Sequence, residues 1–323
     1  MPGNGDGGGS RDLGSRDSRN GDVGDVLVIG SVNRDLTVRT ERFPAPGETV
    51  LGDHLLTGLG GKGANQAVAA AGAGARTRLL ATVGDDAHGT ELLRALAAAG
   101  VGTAPIHRAP GLATGTALIT VDHRGENQIV VVPGANAATG ADRVREEATA
   151  VAAADVVVVQ GEIPVDAVVE AVRLGPRLTV LNLAPYIAVP RPVLQRVDVL
   201  VVNATEAGQV LSAAAPPGVP AALDAVRLLA GSARNAVITL GADGAVVAGE
   251  RTPPVHLPVP EAVEVVDATG AGDAFVGVLA ARLAAGEDLA GAVAHGVAAA
   301  SRSVRVAGAA GAAVRVPSPA QGA

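Results

Sequence analysis

Cysteine and tryptophan are absent from this chain of 323 residues, and other aromatics are scarce: one Tyr (Tyr186) and two Phe (Phe43, Phe275). Without cysteine there is no disulfide framework, no thiolate nucleophile and no Cys-ligated zinc site. With so few rings, a pocket for a nucleobase must use aliphatic walls and glycine faces instead of aromatic stacking. The six His include no pair at i, i+4, which argues against a His-ligated metal. No apolar run approaches the roughly 18 to 20 residues needed to span a bilayer, so no membrane partner is expected. Basic residues are outnumbered by acidic ones, and the net charge of −7 argues against a nucleic-acid partner. Residues 1–24 are rich in Gly, Asp, Arg, Ser and Asn and lack an apolar stretch. They read as a disordered tail and not as a signal peptide, and a cytoplasmic location is expected.

What the chain does contain is Ala, Val and Gly in ordered patterns. Short β-branched runs recur at Val26–Ile29, Arg78–Val83, Asp155–Val159, Leu178–Leu181, Asp198–Val202 and Ala236–Leu240. They are apolar almost throughout, as parallel strands covered on both faces must be. Helical patterns lie between them. Thr90–Ala99 sets Leu92, Leu93, Leu96 and Ala99 on one stripe and ends before Gly100; Ala221–Ala230 repeats the design. Alternating strand and helix predicts an α/β sheet with right-handed crossovers. Two stretches, approximately 34–59 and 103–132, hold extended segments and turns with little helix. Within the second, Thr116–Val121 and Gln128–Val132 flank His123-Arg124-Gly125-Glu126 and predict a hairpin. Both are read as a small β lid whose exposed edges could pair two subunits in a homodimer.

Polar residues or glycine follow four successive strands: Glu162, Asn182, Asn203 and Gly241. Ligands of open α/β sheets bind outside the carboxyl ends of the strands, so these positions point to one shared cleft.

Four segments carry candidate chemistry. Gly60-Gly61-Lys62-Gly63-Ala64-Asn65-Gln66-Ala67 precedes a small-residue helix, Val68–Ala71. Its glycines allow close backbone approach to a ligand, Lys62 brings a charge, and Asn65 faces out from the first helical turn. It is not a Walker A loop, because Gly63 stands where Ser or Thr is required. Asp267-Ala268-Thr269-Gly270-Ala271-Gly272-Asp273-Ala274-Phe275 opens a helix predicted over Ala274–Ala285. Glycines at a helix start expose N–H groups beside the positive end of the dipole, an anion hole suited to a transferring phosphoryl group. Asn33-Arg34-Asp35 follows the first strand, with side chains able to pair with vicinal hydroxyls. In Asn203-Ala204-Thr205-Glu206, Asn203 and Glu206 either cap a helix or stand in the outer shell of a hydrated Mg²⁺.

The two glycine-rich segments, some 200 residues apart, resemble the paired signatures of the ribokinase-like carbohydrate kinase family, and the likeness runs from about Val26 to Pro317. Gly30-Ser31-Val32-Asn33, Phe43-Pro44-Ala45-Pro46-Gly47-Glu48-Thr49, Gly134-Ala135-Asn136-Ala137 and Thr239-Leu240-Gly241 are similar to the members that act on ribose. The resemblance implies a three-layer, doubly wound, mainly parallel α/β sheet with a small β lid, a kinase domain over 25–317 and a short tail over 318–323. It implies ATP-dependent phosphorylation of D-ribose at O5, giving ribose 5-phosphate and ADP. A sibling kinase for deoxyribose, fructose or adenosine is the alternative, and a non-catalytic sugar sensor a further one. By position, Asn33, Asp35, Gly61, Lys62, Asn65 and Glu162 would hold the sugar. Asp273 would be the general base, and Gly270, Ala271 and Gly272 the anion hole. Asn203, Thr239, Gly241, Gly244 and His295 would line the ATP site. Asn203 and Glu206 would organise Mg²⁺, and Asp267 and Thr269 would ligate a monovalent cation, K⁺. After the last helix the family often carries Thr-Arg-Lys-Gly-Ala, whereas this chain runs Val304-Arg305-Val306-Ala307-Gly308.

Overall fold

A computed structural model describes residues 24–261 and 263–305. The expected tails, 1–24 and 318–323, lie outside these residues except for Gly24, as does the stretch 306–317.

In chain order the first strands are β1 (Asp25–Ile29), β2 (Asn33–Thr40), β3 (Gly52–Gly60), β4 (Arg76–Gly84) and β5 (Ile106–Ala109). Then come β6 (Gly115–Val121), β7 (Asn127–Val132), β8 (Val156–Gln160) and β9 (Leu178–Asn182). The last are β10 (Val199–Asn203), β11 (Asn235–Thr239), β12 (Ala245–Gly249) and β13 (Val255–Leu257). Nine form the main sheet in the order β13-β12-β11-β10-β9-β8-β1-β4-β5. From β11 to β5 all pairs are parallel, and β12 and β13 are added antiparallel at one edge.

Alternate residues of each strand feed two separate cores, as the two-residue period requires. Val26, Val28, Val156, Val158, Val180 and Val201 pack under the helices Lys62–Gly72, Ala87–Ala98, Ala271–Ala284 and Leu289–Ser303. Leu27, Ile29, Val157, Val159, Leu181 and Leu200 pack under the helices between Ala141 and Leu229. The sheet is therefore doubly wound and three-layered. Among the described residues no helix is long and apolar enough to cross a membrane.

The strand order turns outward in both directions from β1, with β4 on one side and β8 on the other. That switch opens a crevice at the carboxyl ends of β1 and β8. Above it sits a second sheet, in the order β3-β2-β6-β7. The hairpin β6–β7 is antiparallel, and its turn is closed by the Asp122 carboxylate, which accepts the N–H groups of Arg124 and Glu126. Ile106–Ala109, inside the stretch assigned to the lid, instead pairs in parallel with β4. It is an edge strand with one face in contact with water, so Ile-His-Arg-Ala gives the mixed pattern expected of a lid segment. The lid is rooted in the body by Arg34, a buried guanidinium at the start of β2 that pairs with Glu91 of the helix Ala87–Ala98.

Candidate active site

Two helices from opposite ends of the chain meet at the crevice. Lys62–Gly72 and Ala271–Ala284 approach so closely that a Cβ on Gly277 would lie 2.5 Å from the Ala69 Cβ and from the Gln66 carbonyl oxygen. Only glycine permits that approach. It sets the first turn of one helix against the first turn of the other.

The consequence is seen at Asp273, whose carboxylate is buried and bonded on both oxygens. Asn65 Nδ2 donates to Oδ2 at 3.1 Å, and Gln66 Nε2 donates to Oδ1 at 2.9 Å. Gly270 precedes this helix in the left-handed region with φ of 77° and turns the chain into it. First-turn N–H groups of a helix have no acceptor within it. A Cβ on Gly272 would meet nothing within 4 Å, so the helix tip is open to a ligand. The Ala271 N–H makes only a long bond, 3.3 Å, to the Ala268 carbonyl.

Across the crevice Glu162 follows β8. Its Oε2 accepts the Ser31 hydroxyl at 2.5 Å and the Lys62 backbone N–H at 3.0 Å. The Asn33 side-chain oxygen accepts from Asn136 Nδ2 at 2.7 Å, and Asn136 also holds the backbone of Val32. Asp35 projects from β2 against Gly60, where any Cβ would overlap its carboxylate. A cleft of about 350 Å³ opens beside these groups, lined by Ser31, Asn136 and Glu162 from the body and by Asn33 and Val131 from the lid sheet.

The electrostatics are those of crowded acids around one ammonium. Burial, then the negative charges of Glu162 and Asp273, raise the Asp35 carboxyl to about 7. Burial opposes the charge of Lys62, yet the carboxylates of Asp273, Glu162 and Glu206 outweigh it and hold its pKa above the usual lysine value. Burial pushes Glu206 up, against the Asn203 N–H and the Lys62 charge.

Asn203 and Glu206 form a reciprocal capping box, each side chain accepting the other's N–H at 2.8 Å. The capping role is thus realised, and the Glu206 carboxyl is close enough to Lys62 for each to feel the other's charge. Thr239 stands beside Asn203 in register, and the turn Gly241–Asp243 and Gly244 follow it. Asp267 Oδ1 accepts the Thr269 N–H at 2.8 Å, and the Val304 carbonyl accepts the N–H groups of Val266 and Asp267. His295 is half exposed and pairs at 3.3 Å with Glu287, which lies just before its helix. The helix expected over Val68–Ala71 begins earlier, at Lys62, and the one expected at Ala274 begins at Ala271.

Four residues of the site were not singled out from sequence: Ser31, Gln66, Asn136 and Gln160, while Asn182 was read as one of the strand ends that point to the cleft. Three lie inside segments whose neighbours were chosen. Gln160 and Asn182 carry a simpler signal, a polar residue ending an otherwise apolar buried strand.

Residues 23–314 match the family model of the pfkB family carbohydrate kinases. A ribokinase of Mus musculus is 38% identical over 264 residues, covering 80% of this chain and 81% of its own length. A ribokinase of Schizosaccharomyces pombe is 36% identical over 276 residues, covering 82% and 86%. The solved structure of Arabidopsis thaliana ribokinase complexed with ribose and ATP superposes with a TM-score of 0.82 at 28% identity, covering 90% of this chain and 95% of that one.

Proposed function

The chain belongs to the pfkB family of carbohydrate kinases, and on that premise we propose that it transfers the γ-phosphate of ATP to O5 of D-ribose with Asp273 as general base. One observation carries the reading: the carboxylate at the helix tip of one motif is held by Asn65 and Gln66 of the other. Ribose lies between lid and body, with its hydroxyls on Asn33, Asp35, the Gly61 and Lys62 segment, Asn65 and Glu162. Asp273 accepts the O5 proton as O5 attacks phosphorus in line with the departing ADP oxygen. The amides of Gly270, Ala271 and Gly272 and the Lys62 ammonium meet the charge that develops on the transferred group. Asn203, Thr239, Gly241, Gly244 and His295 line the nucleotide site.

Among the described residues no cluster of three or more His, Cys, Asp or Glu could hold a metal ion. These residues therefore suit Mg²⁺ only as an ion carried by the nucleotide, with Glu206 in its outer shell and Asn203 fixing Glu206. When bound, Mg²⁺ offsets charge on the β- and γ-phosphates. The turn 267–270 offers a carboxylate and backbone carbonyls, hard oxygen donors suited to K⁺; Asp267 and Thr269 are its proposed ligands. Exposed Leu55, Leu56, Leu118, Ile129 and Val130 on the lid support a homodimer through that sheet. Light scattering that gives a monomer would remove it. A cytoplasmic location, where ATP is at hand, belongs to the same reading.

The testing experiment is ADP release by the purified protein across ribose, deoxyribose, fructose and adenosine, with and without K⁺. Ribose is expected to give the highest kcat/KM. A higher value for another acceptor would move the assignment to a sibling kinase, and sugar binding without ADP release would make the protein a sensor.

Asp35 yields a prediction with a definite sign. Its folded pKa of about 7 lies above the ordinary 3.8. Its contribution to stability is thus complete below 3.8 and lost as pH rises through about 7. Above that pH the apo protein carries a buried, ionised and under-bonded carboxylate. Asp35→Asn is expected to raise the apo melting temperature at pH 8 by several degrees, from a cost on the order of 2 kcal/mol. The same variant should bind ribose at least about tenfold more weakly, because hydrogen bonds to a charged acceptor are the strong ones. In the unsubstituted protein the KM for ribose should rise as pH falls below about 7. A flat KM between pH 6 and 8 would remove Asp35 from the sugar site.

A further inference from the structure

Behind Asp273 lies a chain of buried amides that the transfer reaction, as written above, leaves without a role. Gln66 is fully buried, and its amide is nearly saturated. Nε2 donates to Asp273 Oδ1 and to Asn182 Oδ1, each at 2.9 Å, and Oε1 accepts from Gln160 Nε2 at 2.8 Å. Asn182 spends its own amide N–H on the Val201 carbonyl at 3.2 Å, which leaves its oxygen facing Gln66. Gln160 and Asn182 are paired in register at the ends of β8 and β9. Each lies two residues beyond a valine, Val158 and Val180, that packs under the helices Lys62–Gly72 and Ala271–Ala284. The period of a strand therefore aims both amides at the base of Asp273.

The direction of these bonds is not interchangeable. A carboxylate only accepts, so the Gln66 amide must present nitrogen to Asp273. Its oxygen then faces Gln160, which must present nitrogen in turn. Gln160 Oε1 is left buried without a partner, an expense of about 1–3 kcal/mol that a purely structural contact would not be expected to keep. It points at Gly30, where a Cβ would lie 1.9 Å away.

Resting on the assignment of Asp273 as general base, we infer that Gln66 is a positioning residue for the reaction, and that Gln160 and Asn182 set the orientation of its amide. Gln66 holds one oxygen of the Asp273 carboxylate and fixes its rotamer, while Asn65 holds the other oxygen. The remaining lone pairs are then directed at the acceptor hydroxyl. None of the three amides needs to touch substrate.

The test uses the full chain with Gln66→Met, Gln160→Leu and Gln160→Glu, beside Asp273→Asn. Thermal unfolding and calorimetric ribose binding check that each variant is folded. Gln66→Met removes the donor at nearly constant volume. Its kcat should fall about 10- to 100-fold with the KM for ribose within about threefold, a split that lost folding or lost sugar binding would not give. Gln160→Leu should show the same signs with a smaller loss.

Gln160→Glu is the polarity test. While the introduced carboxyl is protonated it donates to Gln66 Oε1 and activity is kept. Once ionised it draws the Gln66 nitrogen to itself and turns oxygen onto Asp273, so kcat should fall with rising pH where the unsubstituted enzyme is flat. If Gln66→Met does not fold, the two Gln160 variants decide. Folded variants with unchanged kcat, or a Gln160→Glu variant whose kcat does not fall with rising pH, would overturn the inference. Turnover retained in Asp273→Asn would instead overturn the assignment on which it rests.

Discussion

Asp273→Asn is expected to lower kcat for ribose phosphorylation by about 10²–10⁴-fold, the usual contribution of a positioned general base. The amide keeps the shape of the side chain but cannot take the O5 proton, so ribose and ATP affinities should stay within a few-fold. Residual turnover should come from the helix-tip amides and from positioning, which the substitution leaves in place. One further consequence separates chemistry from folding. Asp273 is buried among the amides of Asn65 and Gln66, which donate to it. An amide at position 273 brings its own N–H group against one of those donors, so a modest fall in melting temperature should accompany the loss. Pre-steady-state quench-flow would locate the defect, with the phosphoryl-transfer step slowed and nucleotide binding unchanged. A variant that turns over at near the unsubstituted rate would exclude proton transfer to this carboxylate.

The second large effect is expected at Gly63, which touches no proposed ligand. A Cβ there would lie 2.6 Å from the Gly30 carbonyl carbon and from the Ser31 nitrogen, both backbone atoms at the end of the central strand. No rotamer change can relieve such a contact, so Gly63→Ala must push the helix Lys62–Gly72 away from β1. Overpacking of this kind costs about 3 kcal/mol, or roughly 4–5 °C in melting temperature for a chain of this size. The displacement also carries Ser31 off Glu162 and loosens the Ala64 N–H bond to the Ser31 carbonyl, now 2.9 Å. A shift near 1 Å at such a site can reduce kcat/KM by about 10²-fold. Melting and steady-state kinetics on one sample would check both, and an unchanged kcat/KM would mean that the strand end and helix can part without harm.

The strands of the main sheet were legible because both faces of each are buried, which leaves continuous apolar runs. Their ends were less so: Gln160, Asn182 and Asn203 are polar yet continue the parallel pairing, so composition alone stops β8 one residue early. Ile106–Ala109 was assigned to the lid because an edge strand alternates as a lid strand does. In the site, residues inside glycine-rich motifs were legible from backbone requirements. Gln66 and Gln160 were not, because their meaning lies in partners 207 and 94 residues away. Asn203 and Glu206 show the reverse case, where the capping alternative rests on a local motif and is realised, while the charge of Lys62 near Glu206 comes only from the fold.

The most direct test of the central claim is a crystal structure with ribose and a non-hydrolysable ATP analogue. O5 of ribose should lie about 2.6–3.2 Å from the Asp273 carboxylate, with the terminal phosphate on the amides of residues 270–272. Ribose bound with O5 directed away from Asp273, or a terminal phosphate seated apart from that helix tip, would contradict the account.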